Sequence, residues 1–377
     1  MVMNNTFVPG LRGVVAAETR LSRVDGLAGE LIIGGYPLLE LAGNATFEQV
    51  VYLLWHDRLP DATELSTFTD QLAAGRSIPQ IALEALHAAA NKKLPVMDAL
   101  GMAASTLSLE LSDPRPEEAA IKAVSAFPTI VAAYWRYRQG EQPLSPRSDL
   151  GHAANYLYML SGETPSPART RALETYLNTI VDHGLNASTF TARVIISTGS
   201  DMIAAMVGAV GALKGPRHGG APGPALDMVF EIGEADKAEA YLRAKLEAGE
   251  RLMGFGHRVY KVRDPRADAL GAAAEQFFAT SEKRGVYHLA KHVEGEALRL
   301  LEEYKPGRNL QTNVEFYTAL LLHSLDFPTE LFTPTFALGR VAGWTAHAFE
   351  QQAEGSIIRP ASAYVGATNR RWTTDLN

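Results

Sequence analysis

The chain has 377 residues, 46% hydrophobic and 20% charged, with a formal charge of −7 and no cysteine. That length exceeds the usual size of one core, so two lobes are expected. The lack of cysteine excludes disulfides, thiolate zinc sites and a cysteine nucleophile, and the acidic balance argues against a nucleic-acid footprint, which shows as a basic face.

Residues 1–13 lack the basic start and apolar run of a signal peptide. Val14-Val15 and Leu31-Ile32-Ile33 are short strand signals, and the second runs into Gly34-Gly35, which predicts a small N-terminal hairpin at most. Helix signals dominate the rest. Residues 117–137, 169–181 and 200–213 carry apolar side chains at helical spacing, and Pro128 predicts a kink or break in the first. Pro143 and Pro146 on one side, and Pro165 and Pro167 on the other, bracket 149–161 as a helix between loops. The stretch 201–213 contains Ala204, Ala205, Gly208, Ala209, Gly211 and Ala212, a pattern that suits either a tightly packed internal helix or a subunit interface. Lys214-Gly215-Pro216 stops that helix, and Asp264-Pro265 starts another with an N-cap and a first-turn proline. The strand–helix alternation of a parallel sheet is missing, so a nearly all-α protein is predicted. No segment approaches the roughly 18 uninterrupted apolar residues of a membrane span, and a soluble, cytoplasmic chain is expected.

Three segments of the C-terminal half each bring a group suited to carbonyl chemistry. His218 lies in Gly215-Pro216-Arg217-His218-Gly219-Gly220, after a helix stop and before two glycines. A neutral imidazole there suits donation to a thioester or carbonyl oxygen as charge develops, although a loop histidine bonded to backbone or solvent has the same spacing. His257 lies in Gly254-Phe255-Gly256-His257, followed by Lys261, Arg263 and Arg266, which with Arg258 make a basic cluster fit for phosphates or carboxylates. The glycines match only the start of a dinucleotide fingerprint, with no preceding strand, so a Rossmann reading is rejected. Glu315 is the acid in Asn313-Val314-Glu315-Phe316-Tyr317; its apolar neighbours predict burial and a raised pKa, whereas a helix start would favour the charged form.

Other patterns carry less. Asp182-His183 offers too few ligands for a metal, and His288 and His292, four apart, lack the intervening glutamate of a zinc protease. No metal or cofactor is expected. The nucleophile elbow and the phosphate-binding P-loop are both absent.

Taken in order, these segments resemble the citrate synthase family across nearly the whole chain. The matching runs are Gly10-Leu11-Arg12-Gly13-Val14, Leu21-Ser22-Arg23-Val24-Asp25-Gly26, 182–190, 215–220, 254–261, Asp264-Pro265-Arg266, 313–317, Gly343-Trp344-Thr345-Ala346-His347 and Arg359-Pro360. The resemblance implies an all-α homodimer with a large helical domain (1–218 and 321–377) and a smaller mobile helical domain (219–320), hinged near Gly219-Gly220. It implies that Glu315 takes a methyl proton from acetyl-CoA, that His218 stabilises the enol or enolate, and that His257 polarises the ketone of oxaloacetate. Citryl-CoA is then hydrolysed. By the same resemblance His183, Arg266, Arg340 and Arg359 bind oxaloacetate, Arg359 from the partner subunit, while Met253, Gly254, Phe255, Gly256 and Lys261 face CoA, which is a substrate and not a cofactor. A 2-methylcitrate synthase using propionyl-CoA and a non-catalytic CoA- or dicarboxylate-binding homologue share these motifs. Three positions depart from the family pattern: Glu315 stands for the usual Asp, Pro222 for Asn, and Gly34 for Arg.

Overall fold

The structure, a computed structural model, describes residues 7–112, 115–219, 222–257, 259–279 and 284–372. Gly220 and Arg258 of the two histidine motifs lie outside the described residues, as does the side chain of Pro222.

The chain begins with a 3-10 turn, Pro9–Leu11, and a three-stranded antiparallel sheet of β1 (Ser22–Asp25), β2 (Glu30–Ile33) and β3 (Tyr36–Pro37). The expected hairpin thus has a third strand, and Val14-Val15 forms none: both residues are exposed in an irregular segment. Gly34 and Gly35 make the two-residue turn between Ile33 and Tyr36, with φ of +53° and +85°. Positive φ at both positions is the primed hairpin turn that glycine favours. A Cβ on Gly34 would also fall 2.8 Å from Leu53 Cγ, so an arginine there would not fit this turn.

Helices then follow without interruption by strands. They are α1 (Leu38–Ala42), α2 (Phe47–His56), α3 (Ala62–Ala74), α4 (Gln80–Asn91), α5 (Val96–Ser105) and α6 (Pro116–Arg138). Next come α7 (His152–Ser161), α8 (Pro167–Ile180), α9 (Ala187–Ile196), α10 (Met202–Leu213), α11 (Pro222–Ile232) and α12 (Ala238–Glu247). The last are α13 (Pro265–Phe278), α14 (Arg284–Tyr304), α15 (Val314–Ser324) and α16 (Phe332–Glu354). Short polar caps set many of these starts. Thr46, Asp61, Ser166, Asn186, Asp201, Asp264 and Asn313 each accept a backbone N–H of the first turn.

The central layer is α6, buried almost continuously from Ala119 to Tyr134, with α16 lying against it and buried along most of its length. The break that Pro128 allowed does not occur: α6 runs as one helix through the proline. Proline costs about 3 kcal/mol in a helix interior. Contacts from α3, α4, α5, α7, α10 and α16 on this one helix hold it continuous. Helix α10 packs on α9, where a Cβ on Gly208 would lie 2.1 Å from Ile195 Cδ1, while Gly211 faces open space. The small-residue stripe therefore serves internal packing on one side and leaves the other bare.

Helices α11 to α15 pack on one another, and α13 and α15 also lie against α8. Among the described residues no helix is long and apolar enough to cross a membrane.

Candidate active site

A cleft of about 980 Å³ opens among the N-terminal turn, the α8–α9 turn, the loop after α10, the loop before α13 and the N-terminus of α15. Seven residues singled out in the sequence line it: His183, His218, Gly256, His257, Arg266, Glu315 and Arg340. Met253, Gly254, Phe255, Lys261 and Arg359 are not in its wall. Gly254 is buried with Phe316 3.0 Å from its would-be Cβ, the Phe255 ring meets that of Phe316 at a tilt with centroids 5.5 Å apart, and Met253 packs on the core. Lys261 is exposed and its N–H donates to Gly26 O at 2.7 Å. Arg359 is exposed in the extended segment after α16.

Glu315 is placed by its own helix start. Asn313 caps α15 by accepting the Glu315 N–H at 3.0 Å, and its Nδ2 donates to Gly256 O at 2.8 Å. The Asn313 N–H donates to Gly254 O at 2.9 Å and the Gly256 N–H to Gln311 O at 2.7 Å. Positive φ at Gly254 and Gly256, +87° and +80°, lets the turn lie that close. The turn carrying His257 and the helix carrying Glu315 are thereby fastened as one piece, and the Gly256 N–H is spent on that join instead of on an anion. Burial pushes the Glu315 carboxyl up to about 7, with Arg266 opposing and Asp264 adding to the rise. Desolvation outweighs the helix dipole, and the result is a carboxylate basic enough to take a proton near neutrality.

His218 meets the N-terminus of α9. Its Nε2 lies 3.3 Å from the Ser188 N–H and 2.8 Å from Ser188 Oγ. A backbone N–H can only donate, so Nε2 is the unprotonated nitrogen and the proton sits on Nδ1. Ser188 is itself fixed by Trp344 Nε1 at 3.1 Å and Asn186 Oδ1 at 2.8 Å. Burial, helped by Arg340, lowers the imidazole to about 4. His218 is therefore a neutral donor near pH 7.

His257 has the opposite tautomer. Its Nδ1 accepts the N–H groups of Val259 and Tyr260, both at 3.1 Å, which leaves the proton on Nε2. Burial and then Arg266 lower this ring to about 4 as well. Arg266 Nη2 lies 3.3 Å from Nε2 and can only donate, so with the proton on Nε2 this contact is a meeting of two donors and not a hydrogen bond. His183 stands edge-on to it, ring centroids 5.9 Å apart, with its Nε2 3.1 Å from Tyr260 Oη. Burial and the surrounding cations hold His183 well below the usual histidine range.

Two buried guanidinium groups complete the wall. Arg266, 5% exposed, is held by both oxygens of Asp264, its own helix cap, at 3.1 and 2.8 Å. Arg340, 2% exposed, gives its Nε to Ile180 O at 2.7 Å and lies over the Phe336 ring. Among the described residues no carboxylate reaches ion-pair distance of Arg340, and burial lowers it to about 10. A buried cation in that state favours a ligand carboxylate, which arginine holds well.

Sequence reasoning missed the supports. Asn313, Ser188, Tyr260 and Asp264 each fix a functional side chain. Asp264 and Asn313 were readable as caps placed two residues before Arg266 and Glu315; Ser188 and Tyr260 carried no such signal. The exposed Arg12 and Arg217 also line the cleft. His288 and His292 are exposed on α14, and His288 Nε2 accepts from Arg284 Nε at 3.1 Å.

The chain matches the family model described as citrate synthase, C-terminal domain, over residues 10–361. It is 40% identical to citrate synthase 2 of Bacillus subtilis, over 97% of this chain and 98% of that protein. It is 38% identical to 2-methylcitrate synthase of Mycobacterium tuberculosis, over 96% and 91%. Among solved structures, citrate synthase from Pyrobaculum aerophilum superimposes with a TM-score of 0.88 at 35% identity, over 97% of this chain and 94% of that one. The ternary complex of Thermoplasma acidophilum citrate synthase with carboxymethyl coenzyme A and oxaloacetate gives 0.87 at 28% identity, over 98% of both.

Proposed function

The chain belongs to the citrate synthase family, and we propose that it condenses acetyl-CoA with oxaloacetate and hydrolyses the resulting citryl-CoA to citrate and CoA. The observation that carries the reading is one cleft holding a carboxyl lifted to about 7 together with two histidines kept neutral. That is the set an enolisation and a carbonyl addition require: one base and two uncharged donors.

Glu315 takes a proton from the methyl carbon, and the C–H electrons move into the thioester as an enol or enolate. The Nδ1–H of His218 donates to the thioester oxygen. The new carbon nucleophile attacks the ketone of oxaloacetate, whose oxygen receives the Nε2–H of His257. Arg266 and Arg340, with His183, take the keto-acid's carboxylates and ketone face. Water then cleaves the thioester of citryl-CoA, releasing CoA. A neutral imidazole suits both donor roles, because an imidazolium beside the buried arginines would carry an uncompensated charge.

Arg359 is assigned to the partner subunit's site in a homodimer; its exposure and its absence from the cleft of its own protomer support that assignment. CoA is assigned to the side of Met253–Gly256, with Lys261 toward its phosphates. The segment 219–320 is the smaller, moving domain, and its closure would keep water out until the carbon–carbon bond has formed. The kinship to a 2-methylcitrate synthase favours a second reading, in which propionyl-CoA replaces acetyl-CoA. CoA release from each thioester with oxaloacetate, followed with a thiol reagent, decides between them; the protein has no cysteine to give a background. Faster release from acetyl-CoA is expected, and faster release from propionyl-CoA would move the chain to the second reading.

A further inference from the structure

The turn that carries His183 is held from behind by a buried chain of hydrogen bonds that the reaction above does not use. Asp182, His347 and Arg193 are each at most 1% exposed. Arg193 on α9 donates from Nη1 to His347 Nδ1 at 3.0 Å and is itself anchored on α16 by Glu350 at 2.9 Å and Gln351 at 3.0 Å. A guanidinium has no acceptor, so His347 carries its proton on Nε2. That nitrogen lies 3.2 Å from Asp182 Oδ1 and donates to it. Asp182 Oδ2 in turn accepts from Ser22 Oγ and, at 3.3 Å, from the Gly184 N–H, which also donates to Ser22 Oγ at 2.9 Å. Gly184, at φ +61°, follows His183 directly. Helix α16 comes this near only because residue 343 is glycine: a Cβ there would fall 2.2 Å from Val181 O and 3.1 Å from Asp182 Oδ1.

We propose that His347, with Asp182 and Arg193, is a positioning relay that orients His183 and thereby sets the affinity for the keto-dicarboxylate substrate. The inference rests on the reading that this substrate is oxaloacetate. Burying an aspartate, a histidine and an arginine together costs desolvation that an apolar cluster of similar volume avoids. What the polar chain adds is direction: Asp182 is turned so that it holds Gly184, as the acid of a hydrolase triad holds its histidine. Neither His347 nor Arg193 lines the cleft, so both act through Asp182 and the turn.

Two amides at position 347 separate this role from packing. Glutamine places its amide nitrogen where imidazole has Nε2 and keeps the donor to Asp182; asparagine reaches only the Nδ1 position and loses that donor. Oxaloacetate is titrated by calorimetry into the full-length wild-type protein, H347Q, H347N and S22A, with thermal melting and the KM for each substrate measured alongside. H347N is expected to bind oxaloacetate about tenfold more weakly, with an unchanged KM for acetyl-CoA, while H347Q stays within about threefold of wild type. S22A, cut at the other end of the chain in a half-buried position, is expected to weaken oxaloacetate in the same selective way. Equal losses in H347N and H347Q, or a lowered melting point with oxaloacetate affinity intact, would overturn the relay and leave a packing role. Wild-type protein that binds no oxaloacetate would overturn the functional reading along with it.

Discussion

At the scale of single residues, Glu315 decides what the cleft can do. A glutamate in the first turn of a helix ordinarily stays charged, because the helix dipole favours the anion. Here burial wins and the carboxyl titrates at about 7. Only the ionised form removes a proton, so kcat/KM for acetyl-CoA is expected to rise with pH and reach half its plateau near pH 7. The histidines do not move that limb, since His218 and His257 lose their protons at about 4. The stability effect has the opposite sign. A carboxyl whose folded pKa lies above its unfolded value of 4.5 costs stability as pH rises from 4.5 through about 7. Glu315→Gln is therefore expected to be more stable than wild type at pH 8, by an amount on the order of 3 kcal/mol, and equally stable at pH 4. A flat rate profile between pH 6 and 8 would show that the acid in play is not this one.

At the scale of elements, the Gly-Phe-Gly-His turn and the start of α15 behave as one unit. The turn's glycines were legible as a motif, but their part in packing was not: both carry positive φ and seat the turn against Phe316 and Asn313. Gly254→Ala adds a Cβ 3.0 Å from Phe316 at a φ of +87°. It is expected to cost about 2 kcal/mol in urea unfolding and to lower kcat at least tenfold by parting His257 from Glu315. Wild-type values on both counts would mean that the join has no mechanical role. Helical periodicity made α6, α8 and α10 readable, because an apolar stripe every three or four residues survives any packing arrangement. Pro128 misled for the converse reason: its local preference for a break was overridden by helices packed all around α6, which no local pattern records. The tautomers of His218 and His257 were equally out of reach: the first depends on the Ser188 N–H of another segment, the second on how the turn after His257 folds back onto its Nδ1.

At the scale of the whole molecule, the site is assembled from segments far apart in the chain: the N-terminal turn, the α8–α9 turn, the loops around α10 and α13, and helices α15 and α16. Such a cleft keeps its charges in register only while the α11–α15 group and the remainder stay packed, which ties activity to the integrity of the entire fold. The buried arginines Arg266 and Arg340 supply positive charge to a protein whose formal charge is −7, so anion binding here comes from local focusing and not from the net balance. The most direct test is CoA release from acetyl-CoA and oxaloacetate by wild type and Glu315→Gln at pH 8, with oxaloacetate binding measured on both. Wild type is expected to turn over, while the variant binds oxaloacetate as tightly and loses about 10²–10⁴-fold in rate. A variant that releases CoA at the wild-type rate, or a wild-type protein that releases none, would contradict the assignment of Glu315 as the base of this reaction.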